Sequence, residues 1–214
     1  GNIGAGLSLG RSNNDFGTVN ITNNIFKDNH SGYGSAYFAW SANGTINRNL
    51  FIGNTATNRG NVAYLRGAPD GGIGINFYNN TIWDTSESTS IIRVNQPEHR
   101  VINNIIWRVS DQNLEDIDDI SSGATIEYNI VKNGYDGTGN ISDDPGLIDP
   151  DNGDFRPSPS SVAIDAGDPD LDQDGLTWES DPDDQDPDGS RLDIGAFYID
   201  PFNIWIDELD IIHG

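Results

Sequence analysis

The sequence predicts an all-β chain wound as a parallel β-helix, and three observations carry that expectation. The first is recurrence. The stretch from Val19 to Asn29 returns in four further copies, which register on Asn24, Asn49, Asn80, Asn104 and Asn129 at spacings of 25, 31, 24 and 25 residues. A period in this range marks a solenoid, in which each repeat buries its apolar face only against its neighbours. The second is alternation. Val19 and Ile21, and again Ile75 and Phe77, sit two apart and are β-branched or aromatic, which fits a strand with one buried face rather than a helix. The third is length. A repeat of about 25 residues accommodates three strands of about five residues with short turns. Each repeat is therefore one coil, stacked about 4.8 Å from the next.

The elements follow in order. Gly1 to Leu9 reads as the last part of a coil, so the chain is expected to be a mature or excised piece of a longer secreted protein. Each register Asn is expected at a corner. Asn tolerates the left-handed conformation that a sharp turn needs, and its amide can bond the equivalent amide one coil away. These five residues are read as a structural ladder without chemistry. A second strand series follows at Ser35–Phe38, Asn61–Leu65 and Ser90–Val94, separated by Gly- and Asn-rich turns. The longer 31-residue spacing contains the turn-forming insertion Gly67 to Gly72. Asp111 to Ser122 reads as a second loop excursion or a short helix around Leu114 to Ile117. The β-helix is assigned to 1–142. An Asp/Pro-rich segment, 143–199, has no periodicity. Residues 200–214 turn apolar again, and this tail is expected to cap the open coil as a strand or an amphipathic helix.

Composition narrows the partners. The formal net charge is −23, from 34 acidic residues against 11 basic. That argues against nucleic acid and anionic membrane surfaces and implies self-repulsion unless cations intervene. There is no cysteine, so thiol chemistry and disulfides are excluded. No apolar run is long enough to span a bilayer.

The sharpest chemical motif is Asp170-Leu171-Asp172-Gln173-Asp174-Gly175. Carboxylates at alternate positions followed by Gly form an oxygen-rich loop suited to Ca²⁺. Counted from Asp170, the twelfth position is Asp181. The pattern repeats at Asp184, Asp186 and Asp188, where the twelfth position is Gly195 and the site is incomplete. The bland alternative is an acidic linker. Calcium is preferred because carboxylates this dense repel one another and a divalent ion removes that cost. Catalytic candidates are weaker. Glu98-His99-Arg100 is a conceivable base and anchor, against a polar turn after Pro97. Asp118-Asp119 is a conceivable acid pair, against a solvated loop. Trp83 and Trp107 each lie three residues past a register Asn. They should be neighbours in adjacent coils, either as a carbohydrate-binding strip or as plain packing.

The repeat over residues 1–142 resembles the right-handed parallel β-helices of the pectate-lyase-like superfamily. The C-terminal segment resembles the choice-of-anchor Q module of bacterial surface proteins, through Ser161-Val162-Ala163-Ile164-Asp165-Ala166-Gly167-Asp168-Pro169 and Asp193-Ile194-Gly195-Ala196-Phe197-Tyr198. It departs at Val162, where the module has Pro, and at Tyr198, where it has Glu. The resemblance implies a secreted or surface-attached protein and no particular reaction, because the superfamily includes lyases, hydrolases, adhesins and structural members. The lyases combine Ca²⁺ with a basic Arg or Lys, and no such motif can be matched here. The expectation is a calcium-stabilised structural or adhesive module. Its candidate partners are polysaccharide and further copies of itself, joined head-to-tail through the apolar tail. The alternative is a polysaccharide lyase or glycoside hydrolase.

Overall fold

A computed structural model describes residues 6–10, 18–40, 42–67, 74–86, 89–110, 113–121 and 123–199. The apolar tail, the insertion from 68 to 73 and the first five residues lie outside them. The described chain is a parallel β-solenoid. After β1 (Leu7–Gly10), one coil runs β2 (Thr18–Thr22), β3 (Ile25–Lys27), β4 (His30–Tyr33) and β5 (Tyr37–Trp40). The next runs β6 (Asn43–Asn47), β7 (Leu50–Ile52), β8 (Thr55–Arg59) and β9 (Ala63–Gly67). Then come β10 (Ile75–Tyr78), β11 (Thr81–Asp84) and β12 (Ile92–Val94), followed by β13 (Arg100–Ile102), β14 (Ile105–Arg108) and β15 (Ile117–Asp119). The last partial coil is β16 (Thr125–Glu127) and β17 (Ile130–Val131). Equivalent strands pair in parallel into three five-stranded sheets, ordered β1-β5-β9-β12-β15, β16-β13-β10-β6-β2 and β17-β14-β11-β7-β3, with a short β4-β8 pair at a fourth side. The region from 114 to 117, for which a short helix was one expectation, instead leads into β15.

The alternation seen in the sequence becomes columns of inward side chains. Ile21, Ile46, Phe77, Val101 and Ile126 share one register, and Phe26, Phe51, Ile82, Ile106 and Val131 another. Phe26 stacks on Phe51 with ring centroids 5.0 Å apart, and Phe51 on Phe77 at 5.8 Å. These columns form the apolar core.

The register Asn side chains form one continuous stack. Asn24 Nδ2 donates to Asn49 Oδ1 (3.2 Å), Asn49 Nδ2 to Asn80 Oδ1 (3.0 Å), Asn80 Nδ2 to Asn104 Oδ1 (3.0 Å) and Asn104 Nδ2 to Asn129 Oδ1 (2.9 Å). The stack continues to Asn140, whose Oδ1 accepts from Asn129 Nδ2 at 3.2 Å. Each of these oxygens also takes the backbone N–H of the preceding Asn. The corner differs from expectation in one respect. The left-handed residue is the one before the ladder Asn, namely Asn23, Arg48, Asn79, Asn103 and Tyr128, with φ between 52° and 60°. Asn49, Asn80, Asn104 and Asn129 are thereby turned inward and fully buried, where their amides satisfy backbone groups that a corner would otherwise leave unpaired. A second, shorter ladder joins Asn29 and Asn54 (2.9 Å) one corner further on.

The C-terminal segment begins with an antiparallel pair, β18 (Leu147–Asp149) and β19 (Asp154–Pro157), joined by a 3₁₀ turn. The rest is irregular and lies along the flank formed by β10, β11, β13 and β14. Ile105 and Ile130 of the solenoid pack with Ala163 and Ile194 in a second apolar cluster, edged by Trp107, Ile141, Leu147 and Ala166. Asn103 receives Asp168 N on its side chain (2.7 Å) and Gly195 N on its carbonyl (2.8 Å), and Thr81 Oγ1 accepts from Ala196 N at 3.0 Å. The two halves of the C-terminal motif meet. Asp193 Oδ1 accepts from Asp165 N (2.8 Å), Ile194 N donates to Ala163 O (2.9 Å) and Gly167 N to Leu192 O (2.8 Å). Among the described residues, no helix is long and apolar enough to cross a membrane.

Candidate metal centre

The acidic loop is shaped by its own backbone bonds. Asp170 O accepts from Gln173 N (3.3 Å), Pro169 O closes the loop by accepting from Trp178 N (2.9 Å), and Gln173 and Gly175 take positive φ of 66° and 88°. Each turn brings the next alternate Asp back toward the loop centre. Asp172 Oδ1 accepts from Asp174 N (3.0 Å) and Asp174 Oδ1 from Leu176 N (2.7 Å). Asp181 caps the 3₁₀ turn Pro182–Asp184 by accepting from Asp183 N. That turn returns Asp184 to the loop, where its Oδ1 accepts from Leu171 N at 2.9 Å.

The result is two groups that share one residue. Asp170, Asp172 and Asp184 each place a carboxylate oxygen within 4.8 Å of the others, and so do Asp172, Asp174 and Asp181. Oxygens spaced in this way suit a hard cation held at about 2.3–2.6 Å from each. Asp184 is fully buried, and its Oδ2 has no hydrogen-bond partner. Burial, with Asp172, Asp181 and Asp170 adding repulsion, pushes its carboxyl up to about 6. An unpaired buried carboxylate is costly, and a bound cation would remove the cost. Of the seven acidic residues singled out in the sequence, five converge here, and Asp184 belongs with the first loop rather than the second. Asp186 and Asp188 stand apart. Asp186 pairs with Arg48 (3.5 Å) and accepts from Asp193 N (2.7 Å), and burial raises it to about 7. Asp188 Oδ1 accepts from Ser190 N.

A cleft of about 430 Å³ lies between this loop and the solenoid flank, lined by Arg48, Arg100, Tyr78 and Asn76 on one side and by Asp172, Asp183 and Asp184 on the other. Arg100 Nη2 donates to Leu171 O at 2.7 Å, which ties the loop to β13. Trp83 and Trp107 are register neighbours on the same flank. Both are half-buried. Trp83 meets Phe155 edge-on at 6.0 Å, and Trp107 borders the second apolar cluster with Lys132 Nζ 5.8 Å from its ring. The C-terminal segment therefore takes up much of the surface on which a sugar would stack.

The catalytic candidates are engaged internally. His99 is fully buried, its Nδ1 accepts from Ile75 N (3.0 Å), and burial lowers it to about 4, so it is neutral at ordinary pH. Asp118 is ion-paired with Arg93. Asp119 Oδ1 accepts from Ser121 N. One buried network was not anticipated. Arg108, wholly enclosed, pairs with Asp84 (3.1 Å) and Asp116 (2.9 Å) and donates to the carbonyls of Ser86 and Thr89. Burial raises Asp84 to about 6 even so. A signal for the pair existed, since Asp84 and Arg108 each fall four residues past a register Asn and are Cα partners.

Fold and site together define a parallel β-solenoid with an acidic segment docked on one flank. Compared with known proteins, the chain matches no family model, no curated protein and no solved structure.

Proposed function

We propose that the chain is a secreted or cell-surface structural or adhesive β-helix module of the pectate-lyase-like kind, in which calcium holds the Asp-rich segment against the solenoid. Polysaccharide and further copies of the chain are its candidate partners. The observation that carries this reading is the convergence of Asp170, Asp172, Asp174 and Asp181 with buried Asp184, whose Oδ2 has no hydrogen-bond partner, in a segment packed along the coil. A net charge of −23 adds a general demand for cations. The test is thermal unfolding in excess chelator and in millimolar Ca²⁺. Ligand that binds only the folded state stabilises it by about 2.7 kcal/mol at 100 times its Kd, so the transition should rise by several degrees. An unchanged transition would sink the calcium reading.

One observation favours a second reading, a carbohydrate-active enzyme. Arg48 and Arg100 line the same cleft as Asp172 and Asp184, which sets basic groups beside a potential cation. A screen on uronate-containing and neutral glycans separates the readings, with turnover abolished in Arg100→Ala supporting the enzyme.

A further inference from the structure

We propose that the acidic loop takes two divalent cations bridged by Asp172, and that the ion held by Asp170, Asp172 and Asp184 latches the C-terminal segment to the solenoid. This rests on the calcium reading above and specifies its stoichiometry and mechanical role. The two groups of oxygens share only Asp172. A carboxylate has two oxygens and can serve two ions. The groups differ in burial. Asp172 and Asp174 are exposed, whereas Asp184 lies fully inside, with Oδ1 occupied by Leu171 N and Oδ2 unpartnered. Its unpartnered oxygen is the independent sign of a ligand, because a buried acceptor left empty is rare in folded proteins. Opposite oxygens about a calcium ion lie roughly 4.6–5.2 Å apart, against roughly 4.0–4.2 Å for magnesium. Oxygens that all lie within 4.8 Å of one another can be spanned by either ion, and the titration below uses Ca²⁺.

The latch follows from the bonds around Leu171. Its N–H donates to Asp184 and its carbonyl accepts from Arg100 of β13. An ion on Asp184 is thus two hydrogen bonds from the solenoid. Without it, three carboxylates crowd the point where the loop touches the flank, and their repulsion works against docking. Further along the segment, Asp168 N and Gly195 N bond to Asn103, so their exchange with solvent reports whether the segment is seated.

The test is calorimetric titration of the chelator-stripped chain with Ca²⁺, paired with hydrogen exchange at Asp168 and Gly195. Two ions per chain are expected. Asp184→Asn should lose the tighter site and keep the other, and Asp174→Asn should do the reverse. Asp172→Asn, at an exposed position, should weaken both by tenfold or more. At saturating Ca²⁺, exchange at Asp168 and Gly195 should be at least tenfold faster in Asp184→Asn than in Asp174→Asn. A single ion in the unaltered chain would overturn the two-ion bridge, and an Asp184→Asn variant that titrates and exchanges like the unaltered chain would overturn the latch, either one leaving calcium stabilisation standing. No Ca²⁺ uptake by the unaltered chain would overturn both.

Discussion

Replacing Asn80 with alanine removes the middle rung of the ladder. Its Oδ1 accepts two donors from Asn49, the backbone N–H and Nδ2, each at 3.0 Å. Its Nδ2 reaches Ile46 O (2.9 Å), Tyr78 O (3.0 Å) and Asn104 Oδ1 (3.0 Å). Asn49 and Asn80 are fully buried, so water cannot take over these bonds. Asn49 Nδ2 keeps two other acceptors, Ile21 O and Asn47 O. The Asn49 backbone N–H loses its acceptor and the Ile46 carbonyl loses a donor. An orphaned buried group costs about 1–3 kcal/mol, so two give roughly 2–6 kcal/mol. For a chain of this size each kcal/mol is worth about 2–4 °C, which places the loss at roughly 4 to 24 °C. Asn24→Ala is the control. Asn24 is exposed and its truncation removes only bonds to Thr22 O and Asn49 Oδ1, so the expected loss is under about 1 kcal/mol. Urea unfolding of both variants, followed by circular dichroism, gives the comparison. Equal losses would refute the argument that burial of the ladder, rather than its hydrogen bonds alone, carries the stability.

Arg108→Ala strands Asp84 and Asp116 without their cation and should cost about 3–5 kcal/mol, read as a lower urea midpoint; a loss below 1 kcal/mol would contradict the network. Gly44 has φ of 139°, and a Cβ there would fall 1.9 Å from Val19 O, whereas at Gly153 nothing lies within 4 Å. Gly44→Ala should therefore lower the midpoint far more than Gly153→Ala. Stability should also depend on pH, more steeply in chelator than in calcium. Asp84 at about 6, Asp184 at about 6 and Asp186 at about 7 sit above their unfolded value of 3.8. Between about pH 4 and 7 these three raised carboxyls outweigh His99, which burial lowers to about 4, so the folded chain holds more protons than the unfolded chain and in chelator stability falls as pH rises. In calcium the fall should be shallower, because Asp184 must shed its proton to bind metal while Asp84 and Asp186, outside the two groups, keep their slope. Melting profiles in both conditions decide this.

The solenoid was legible because a coil must repeat its corner, and the buried Asn at that corner must be the same residue each time to bond its neighbours. The left-handed residue before it was not legible. That position asks only for a backbone conformation, and Asn, Arg and Tyr all occupy it here. The second ladder could have been read from Asn29 and Asn54, each five residues past a register Asn. The acidic loop was legible by its alternate spacing, but the transfer of Asp184 to the first group was not. That depends on the 3₁₀ turn after Asp181 folding back over Leu171, a contact across 13 residues. Docking of the segment over Trp107 was equally hidden, since Ala163 and Ile194 carry no periodic mark and meet Ile105 and Ile130 only in three dimensions.

Calcium bound in this loop is proposed to hold the segment on the coil. Crystals of the full chain grown in millimolar Ca²⁺, with anomalous scattering recorded, would locate the ions. The prediction is two anomalous peaks on either side of Asp172, one within about 2.3–2.6 Å of Asp184 oxygen. Well-ordered carboxylates around Asp172 with no anomalous peak among them would contradict it.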